Sequence, residues 1–580
     1  MVKIFFTLLC LFHPITCLAD YAMPVGIPSP GLWGTTDPIN SATPADPASW
    51  PGSATAGYYY VDNSVTCTDT SNTYGYPNNP RCTPVTTLAA GAVQVINNGT
   101  YTASLYTWAI SGTAESPVWI VGKNATKFTN QFRLRVASYA IFDNIDFDRS
   151  GEVNNTIWDI RPGANGELVS NICIRNSDML GEDSATGNTS MVNINGSYYD
   201  TPIENIIVFH NTIHGAGIYS QDGGETVYNV ESNNDIHAVA SGAGITGLWI
   251  LGNTIHTMGG DGIGNSHDAN HTAHDIYIGG NTIYNCRENA IDIKEADGII
   301  ISGNDLYGTR PVSSSSNGAL VVLHYGPTTG EGPFNMWILN NRMHDAPVAM
   351  QINGLAVGGN THIFSNLFYN LEQDTVSPAS GAGGVGIYSY DLEGYLYIEN
   401  NTFYNYRIAI DHSDFSGTGN VVRNNIFSTR NDANGYEYWA GVSDYTKLAS
   451  DYNLFDSALD GGVKINWNGT IRNLVDTQSI NSRETHSISG SPAFVSAPTN
   501  LRLIESSSAI NIGTTPSSFA DHLAKWEVPA STDISGTSRP QSGSWDIGAY
   551  EYPGRTKASI ASSGTIFSSR STGTPISILE

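Results

Sequence analysis

Basic residues are scarce in this chain: 26 Lys and Arg stand against 53 Asp and Glu in 580 residues, a formal net charge of −27. Neither a phosphate backbone nor an acidic lipid surface is attracted to that sign, which argues against nucleic-acid and membrane partners. Charge of any kind is thin, at 14% of residues. Long apolar runs are missing too, since no stretch after the N-terminal residues reaches the ~18 needed to span a bilayer. Residues 1–19, MVKIFFTLLCLFHPITCLA, join an early lysine to a short apolar run and compact residues before Asp20, the layout of a secretory signal peptide. The mature chain is therefore expected to be secreted, extracellular or periplasmic, and to work as a monomer.

Cysteine is sparse, and only Cys67, Cys82, Cys173 and Cys286 lie beyond residue 19. Cys67 and Cys82 flank a turn-rich stretch, TCTDTSNTYGYPNNPRCTP, where an oxidising compartment makes a local disulfide expected. The other two sit in strand-like segments and read as small buried hydrophobes. Sustained helical periodicity is absent as well, which excludes an alternation of strands with crossover helices.

What is present is a repeat. A short apolar alternation, an asparagine, another apolar residue and often Tyr or His recur in VFHNTIHG, ILGNTIHT, IGGNTIYN, ISGNDLYG, ILNNRMHD, IFSNLFYN, IENNTFYN, VRNNIFST and SDYNLFDS. The asparagines are 211, 253, 281, 304, 341, 366, 401, 425 and 453, with weaker forms at Asn144 and Asn176. Their spacing runs from 23 to 42 residues, so a minimal unit of about two dozen residues tolerates insertions. Units rich in Ile, Val, Tyr and Phe with period two, and without helices, must stack strand on strand. The fold class is all-β, a right-handed parallel β-helix. The asparagines are expected to form a hydrogen-bonded ladder at a bend while tolerating left-handed backbone.

The repeat, followed by HSISGSPAFVSA, LRLIESSSAINIG and RPQSGSWDIGAYEY, resembles the secreted β-helix proteins of the pectate-lyase-like superfamily. The resemblance covers residues 85–552, leaving residues 20–84 as a lead-in that caps the first coil and residues 553–580 as a polar tail. It implies a carbohydrate-active protein with a polysaccharide partner, bound along a groove on the outside of one sheet.

Aligning the segments after each repeat asparagine places Ile218, Ile263, Ile291, Met350, Ile387 and Ile410 inward. Tyr219, Gly264, Asp292, Gln351, Tyr388 and Asp411 then share one outward column, and Gln221, Ser266, Lys294, Asn353, Tyr390 and Ser413 a second. One of two registers for the segment 317–326 sets His324 beside Lys294. Tyr388, Tyr390 and Gln351 suit stacking and hydroxyl bonding to sugar rings. The loop NSHDANHTAHD, with His267 at its start, forms one groove wall.

ENAIDIKEADGIIISGNDLYG followed by GALVVLHYG is similar to the lysine-bearing strand and next-coil Arg-His strand of alginate and chondroitin lyases of this fold. That likeness implies β-elimination with Lys294 as base and Ca²⁺ held by Glu288 or Asp292. The reading built on it takes His324 or Tyr388 as proton donor or orienter and Ca²⁺ on acids such as Asp261, Glu288 and Asp292. Leu323 stands where the family carries its arginine, and Arg310 in the preceding loop is the candidate substitute. Two other readings stay open: a glycoside hydrolase using two of Asp261, Asp292 and Asp411, and a protein that binds glycans without chemistry.

Overall fold

The computed structural model describes residues 20–44 and 52–554, apart from 103–104, 153–155, 164–165, 183–188, 197–200, 218–234, 266–271, 310–317, 325–332, 356–357, 373–382, 393, 413–418, 442–444, 481 and 542. The signal-peptide segment and nearly all of the C-terminal tail lie outside them.

Among the described residues forty strands form one continuous hydrogen-bonded sheet wound about a central axis. From Asp146 to Ala440 each strand pairs in parallel with the third strand after it, so each of these coils carries three strands and the stack has three faces. This is the right-handed parallel β-helix expected from the repeat. Side chains alternate in and out along each strand. On one face Val239, Ile263, Ile291, Val321, Met350, Ile387 and Ile410 follow one another in register, none more than 2% exposed. Burying each such side chain stabilises the fold by roughly 1.5–3 kcal/mol, and the interior column repeats that gain coil after coil.

The asparagine ladder is present and continuous. In each step the side-chain carbonyl of one asparagine accepts both the backbone N–H and the Nδ2–H of the asparagine one coil earlier, as between Asn281 and Asn304 at 2.9 Å each. The ladder runs from Asn211 to Asn453, where Ser487 Oγ caps the backbone N–H and the buried Glu484 carboxylate takes the last Nδ2. One expectation needs correction. The left-handed residue of the bend is not the ladder asparagine but its predecessor: His210, Gly252, Gly280, Gly303, Asn340, Ser365, Asn400, Asn424 and Tyr452 all have φ between 53° and 68°. Turning the chain one residue early leaves the ladder asparagine's own N–H pointed along the axis. Asn144 and Asn176 fall on this bend position, with φ of 56° and 58°, and the ladder position beside Asn176 is taken by Ser177.

Parts of both end segments lie against the outside of the coils. Within the 20–84 lead-in, the strand Tyr58–Asp62 stacks on Val93–Asn97 at the start of the coils, whereas residues 20–44 run along the outside of a second face, where Val25 O accepts from Ser302 Oγ, Pro28 O from Trp249 Nε1, and Pro38 and Ile39 carbonyls from Arg175. The coils end at the strand Ile488–Gly490, and the chain then folds back over the same face through the helix Ser517–Trp526. Ile27, Trp33 and Ile39 from the first segment and Ala530 and Trp545 from the last join Trp249, Tyr277 and Trp337 in one apolar cluster outside the coils. Much of that face is thereby covered. Cys67 and Cys82 form the expected disulfide, and Cys173 and Cys286 are free and buried. Among the described residues no helix is long and apolar enough to cross a membrane.

Candidate functional site

One of the two faces left open carries the outward column that the alternation predicts. Its register runs Arg133, Asp159, Asn193, Ala240, Gly264, Asp292, Val322, Gln351, Tyr388, Asp411, Trp439 and Asn466, one residue per coil. Gly264, Asp292, Gln351, Tyr388 and Asp411 thus share a column as expected. Ile218, Tyr219, Gln221, Ser266, His267, Arg310 and Ser413 lie outside the described residues, and nothing is placed for them. The strand that stacks before Ile263–Asn265 is Ile236–Ser241. It brings His237 to the site, a residue the sequence alignment missed because the segment at 215–222 had been given that coil. The alternation in IHAVAS was the signal available.

Asp292 lies at the centre. The Lys294 ammonium donates to its Oδ2 at 2.7 Å, and His324 Nε2 stands 3.4 Å from its Oδ1. The register that sets His324 next to Lys294 is the one adopted, with Ile293 opposite Leu323. Leu323 points into the core, fully buried, so that position offers no place for a groove arginine. Two coils before Asp292, His237 Nδ1 lies 3.3 Å from Oδ2 of Asp261, in the coil between, and 3.2 Å from the Asp261 backbone nitrogen. It can accept the N–H when neutral or donate to the carboxylate when protonated, one at a time. Asn289 N–H fixes the other Asp261 oxygen at 3.0 Å. Asn265 Oδ1 accepts the Lys294 backbone N–H at 3.0 Å, while its buried Nδ2 has no partner among the described residues. His237, Asp261, Gly264, Asn265 and Lys294 line an open cleft of about 200 Å³.

The charges in this cleft control one another. Burial alone would raise Asp292, but the His324 contact and the Lys294 charge outweigh it and hold the carboxyl below its ordinary range. Burial alone would depress Lys294, yet Asp292, with Asp261 and Glu288 behind it, lifts the ammonium above the usual lysine value. Lys294 is therefore protonated at neutral pH. Burial opposes charge on His237, and the Asp261 hydrogen bond more than offsets it, so its pKa is raised. Burial and then the Asp261 charge push Glu288 up to about 7.

The acids do not assemble a cation site. Among the described residues no three carboxylate, imidazole or thiolate groups converge as metal ligands. The carboxylates expected to hold Ca²⁺ are each engaged elsewhere: Asp292 with Lys294, Asp261 with His237 and Asn289, and Glu288 with Arg287 at 3.1 Å. A hard cation needs six or more oxygens turned toward one point; the described residues do not fit Ca²⁺, and no step below passes through it.

The remaining candidates sit further along. Gln351 is 1% exposed and belongs to the floor. Tyr388 and Tyr390 are half-buried, their rings 5.5 Å apart. Asp411 lies four coils from Asp292, ~19 Å at the strand spacing of a sheet. That is too far for the two to act as a glycosidase pair, which needs at most ~9.5 Å. Asp411 is buried with one carboxyl oxygen unpaired, and burial pushes it up to about 6.

Residues 268–451 match the family described as right handed beta helix region. No curated protein matches the chain. Similar solved structures include the PL6 family alginate lyase AlyGC, 14% identical over 68% of this chain and 54% of that one, with a TM-score of 0.34. A mannuronic acid specific polysaccharide family 6 lyase from human gut microbiota is 12% identical over 66% and 77%, with a TM-score of 0.32. A rhamnogalacturonan lyase is 14% identical over 60% and 82%, with a TM-score of 0.27. The chain spans about half the length of the first of these. At such identities and scores the likeness carries nothing about the site.

Proposed function

We propose that this protein is a secreted polysaccharide lyase, cleaving an acidic glycan by β-elimination in the cleft between His237 and Lys294. The observation that carries the reading is the meeting of an ammonium and a carboxylate-backed imidazole across one open cleft on the exposed face of a β-helix. β-Elimination beside a uronate carboxyl needs a cation to stabilise charge on that carboxyl, a base for the α-proton and a proton for the departing oxygen. Lys294, kept protonated by Asp292, supplies the cation and the proton. His237, oriented by Asp261, is the base once it has lost its own proton, and the unpaired Nδ2 of Asn265 is a donor for a sugar or carboxylate oxygen. His324 positions Asp292 from the next coil. Lys294 as the base would require it to shed a proton that its neighbours stabilise. The Cys67–Cys82 disulfide supports an oxidising compartment.

The pH profile of kcat/KM separates the two assignments. With His237 as base and Lys294 as acid, activity rises as His237 deprotonates, above the ordinary histidine range, and falls as Lys294 deprotonates, above the ordinary lysine range. A bell displaced to the alkaline side is expected, and His237→Ala removes its rising limb. A single limb rising only above the lysine range would overturn the assignment and return Lys294 to the role of base.

A further inference from the structure

The scarce basic residues of this chain are not spread evenly over its open face. Three of them, Arg133, Arg135 and Arg161, converge on a single buried carboxylate at the start of the outward column. Arg135 bonds Asp159 Oδ2, Arg161 Nε stands 3.2 Å from Oδ1, and Arg133 Nε stands 3.5 Å from Oδ2. Asp159 is held in the surface with a side chain 5% exposed, whereas the three arginines keep 38%, 17% and 30% of theirs in solvent, in numerical order. Glu167, which approaches Gly163 at the rim, is a second acid beside them. Even so, three guanidinium groups against two carboxylates leave a cationic excess in a protein of net charge −27.

This cluster and the cleft belong to one track. Arg133, Asp159 and Asn193 are consecutive in the register, and Asn193 lines the cleft that contains Lys294. Between Asn193 and Asp292 the column holds only Ala240 and Gly264. A Cβ on Gly264 would sit 3.6 Å from Asp261 Oδ2 and 3.7 Å from His237 Nδ1, both ordinary contacts. Neither backbone nor packing demands glycine there. Its effect is to keep the floor low between the two cationic points, which stand four coils apart counted from Arg161 and five counted from Arg133, or ~19–24 Å at sheet spacing.

We propose that Arg133, Arg135 and Arg161 form a remote subsite for an anionic group, carboxylate or sulfate, of the same glycan whose bond is broken at Lys294. The inference rests on the acidic-polysaccharide reading and adds to it a length requirement. A ligand with one acidic sugar reaches one point only, and an oligosaccharide of several acidic units reaches both. Arginine suits the task because its planar fork bonds oxyanions in pairs while its carboxylate partner holds it in place. Arg135 also donates to the Asp159 carbonyl at 2.9 Å and so supports the coil; the more exposed Arg133 and Arg161 are the ones to vary.

The test is KM and kcat for Arg133→Gln/Arg161→Gln against wild type, on the full polymer and on the shortest oligosaccharide that is cleaved, with thermal melting as the check of folding. Loss of one or two charge-assisted hydrogen bonds predicts a KM on polymer raised roughly tenfold or more. Kcat should stay unchanged, and so should KM on the shortest substrate. Equal effects on both lengths, or none on either, overturn the subsite and leave the lyase reading standing. If wild type yields no unsaturated product from any glycan, the lyase reading fails by itself. The subsite is then judged by equilibrium binding to acidic polymers and their carboxyl-reduced or desulfated forms. Affinity that falls with salt and weakens roughly tenfold in the variant supports it, and affinity equal in variant and wild type overturns it.

Discussion

Replacing Asn341 with alanine removes one rung from the middle of the ladder. The Asn341 side chain, fully buried, makes four hydrogen bonds. Its Oδ1 accepts Asn304 N–H at 3.0 Å and Asn304 Nδ2 at 2.9 Å, and its Nδ2 donates to Ile301 O and Asn366 Oδ1, both at 2.9 Å. Truncation leaves the Asn304 N–H without its acceptor, one Asn304 amide proton unpaired and Ile301 O short of a donor. Each unpaired buried group costs ~1–3 kcal/mol, with the lower figure applying where a water can enter the space vacated. The expected loss is therefore about 3–9 kcal/mol, a large share of the ~5–15 kcal/mol typical of a domain. Because each coil touches only its neighbours, the loss should also uncouple the coils on either side. Urea unfolding followed by circular dichroism and by tryptophan fluorescence should then show a lower midpoint and separated transitions. Asn341→Asp keeps the acceptor and the shape but opposes a carboxylate to Ile301 O, and should be no more stable than the alanine variant. A loss below about 1 kcal/mol for alanine, or an aspartate variant as stable as wild type, would refute the ladder as a source of stability.

Three further outcomes are expected. Asp411→Asn should stabilise the protein at neutral pH. Its folded pKa of about 6 lies above the ordinary 3.8, so the wild-type contribution is full below 3.8 and lost as pH rises through 6. The gain is bounded by ~3 kcal/mol at pH 7 and vanishes near pH 3, read from melting curves across pH; a gain independent of pH would contradict it. Glu399→Gln should loosen the helix Ser517–Trp526, because the fully buried carboxylate accepts Ser517 N–H at 3.2 Å, Ser518 N–H at 2.9 Å and both serine hydroxyls. Loss of roughly 2 kcal/mol and new proteolytic cleavage between residues 510 and 530 are expected, and an unchanged digestion pattern would count against the anchor. Chelation should leave both the melting temperature and any activity unaltered, since the candidate carboxylates are already paired; restoration of activity by added Ca²⁺ would show that assignment to be wrong.

The fold was legible because a β-helix writes its period into the sequence: asparagine, apolar alternation and β-branched residues recur once per coil. Less legible was which residue takes the left-handed turn, since an asparagine before an asparagine, as at 340 and 341, offers two candidates and only the direction of the N–H decides. Asp292 and Lys294 could be found from strand alternation alone, and His324 in one of the two registers that alternation allowed. His237 was missed although IHAVAS alternates, because the run GAGIYSQD competes for the same coil. The Arg133, Arg135 and Arg161 cluster was also hidden, for it joins two strands 24 or more residues apart around Asp159. The Ca²⁺ expectation came from a likeness that specifies residue types; the pairing of each acid with a local cation or donor is a property of distance, which residue types do not carry.

The central claim is that the cleft at Lys294 breaks a glycosidic bond by elimination. Mass spectrometry of products from a panel of alginates, pectins, glycosaminoglycans and ulvans, with wild type and Lys294→Ala, tests it most directly. The account predicts fragments whose new ends are unsaturated, lacking the elements of water, from wild type on at least one acidic glycan and none from the folded Lys294→Ala variant. Fragments that have gained water, or unsaturated fragments undiminished in the variant, would contradict it.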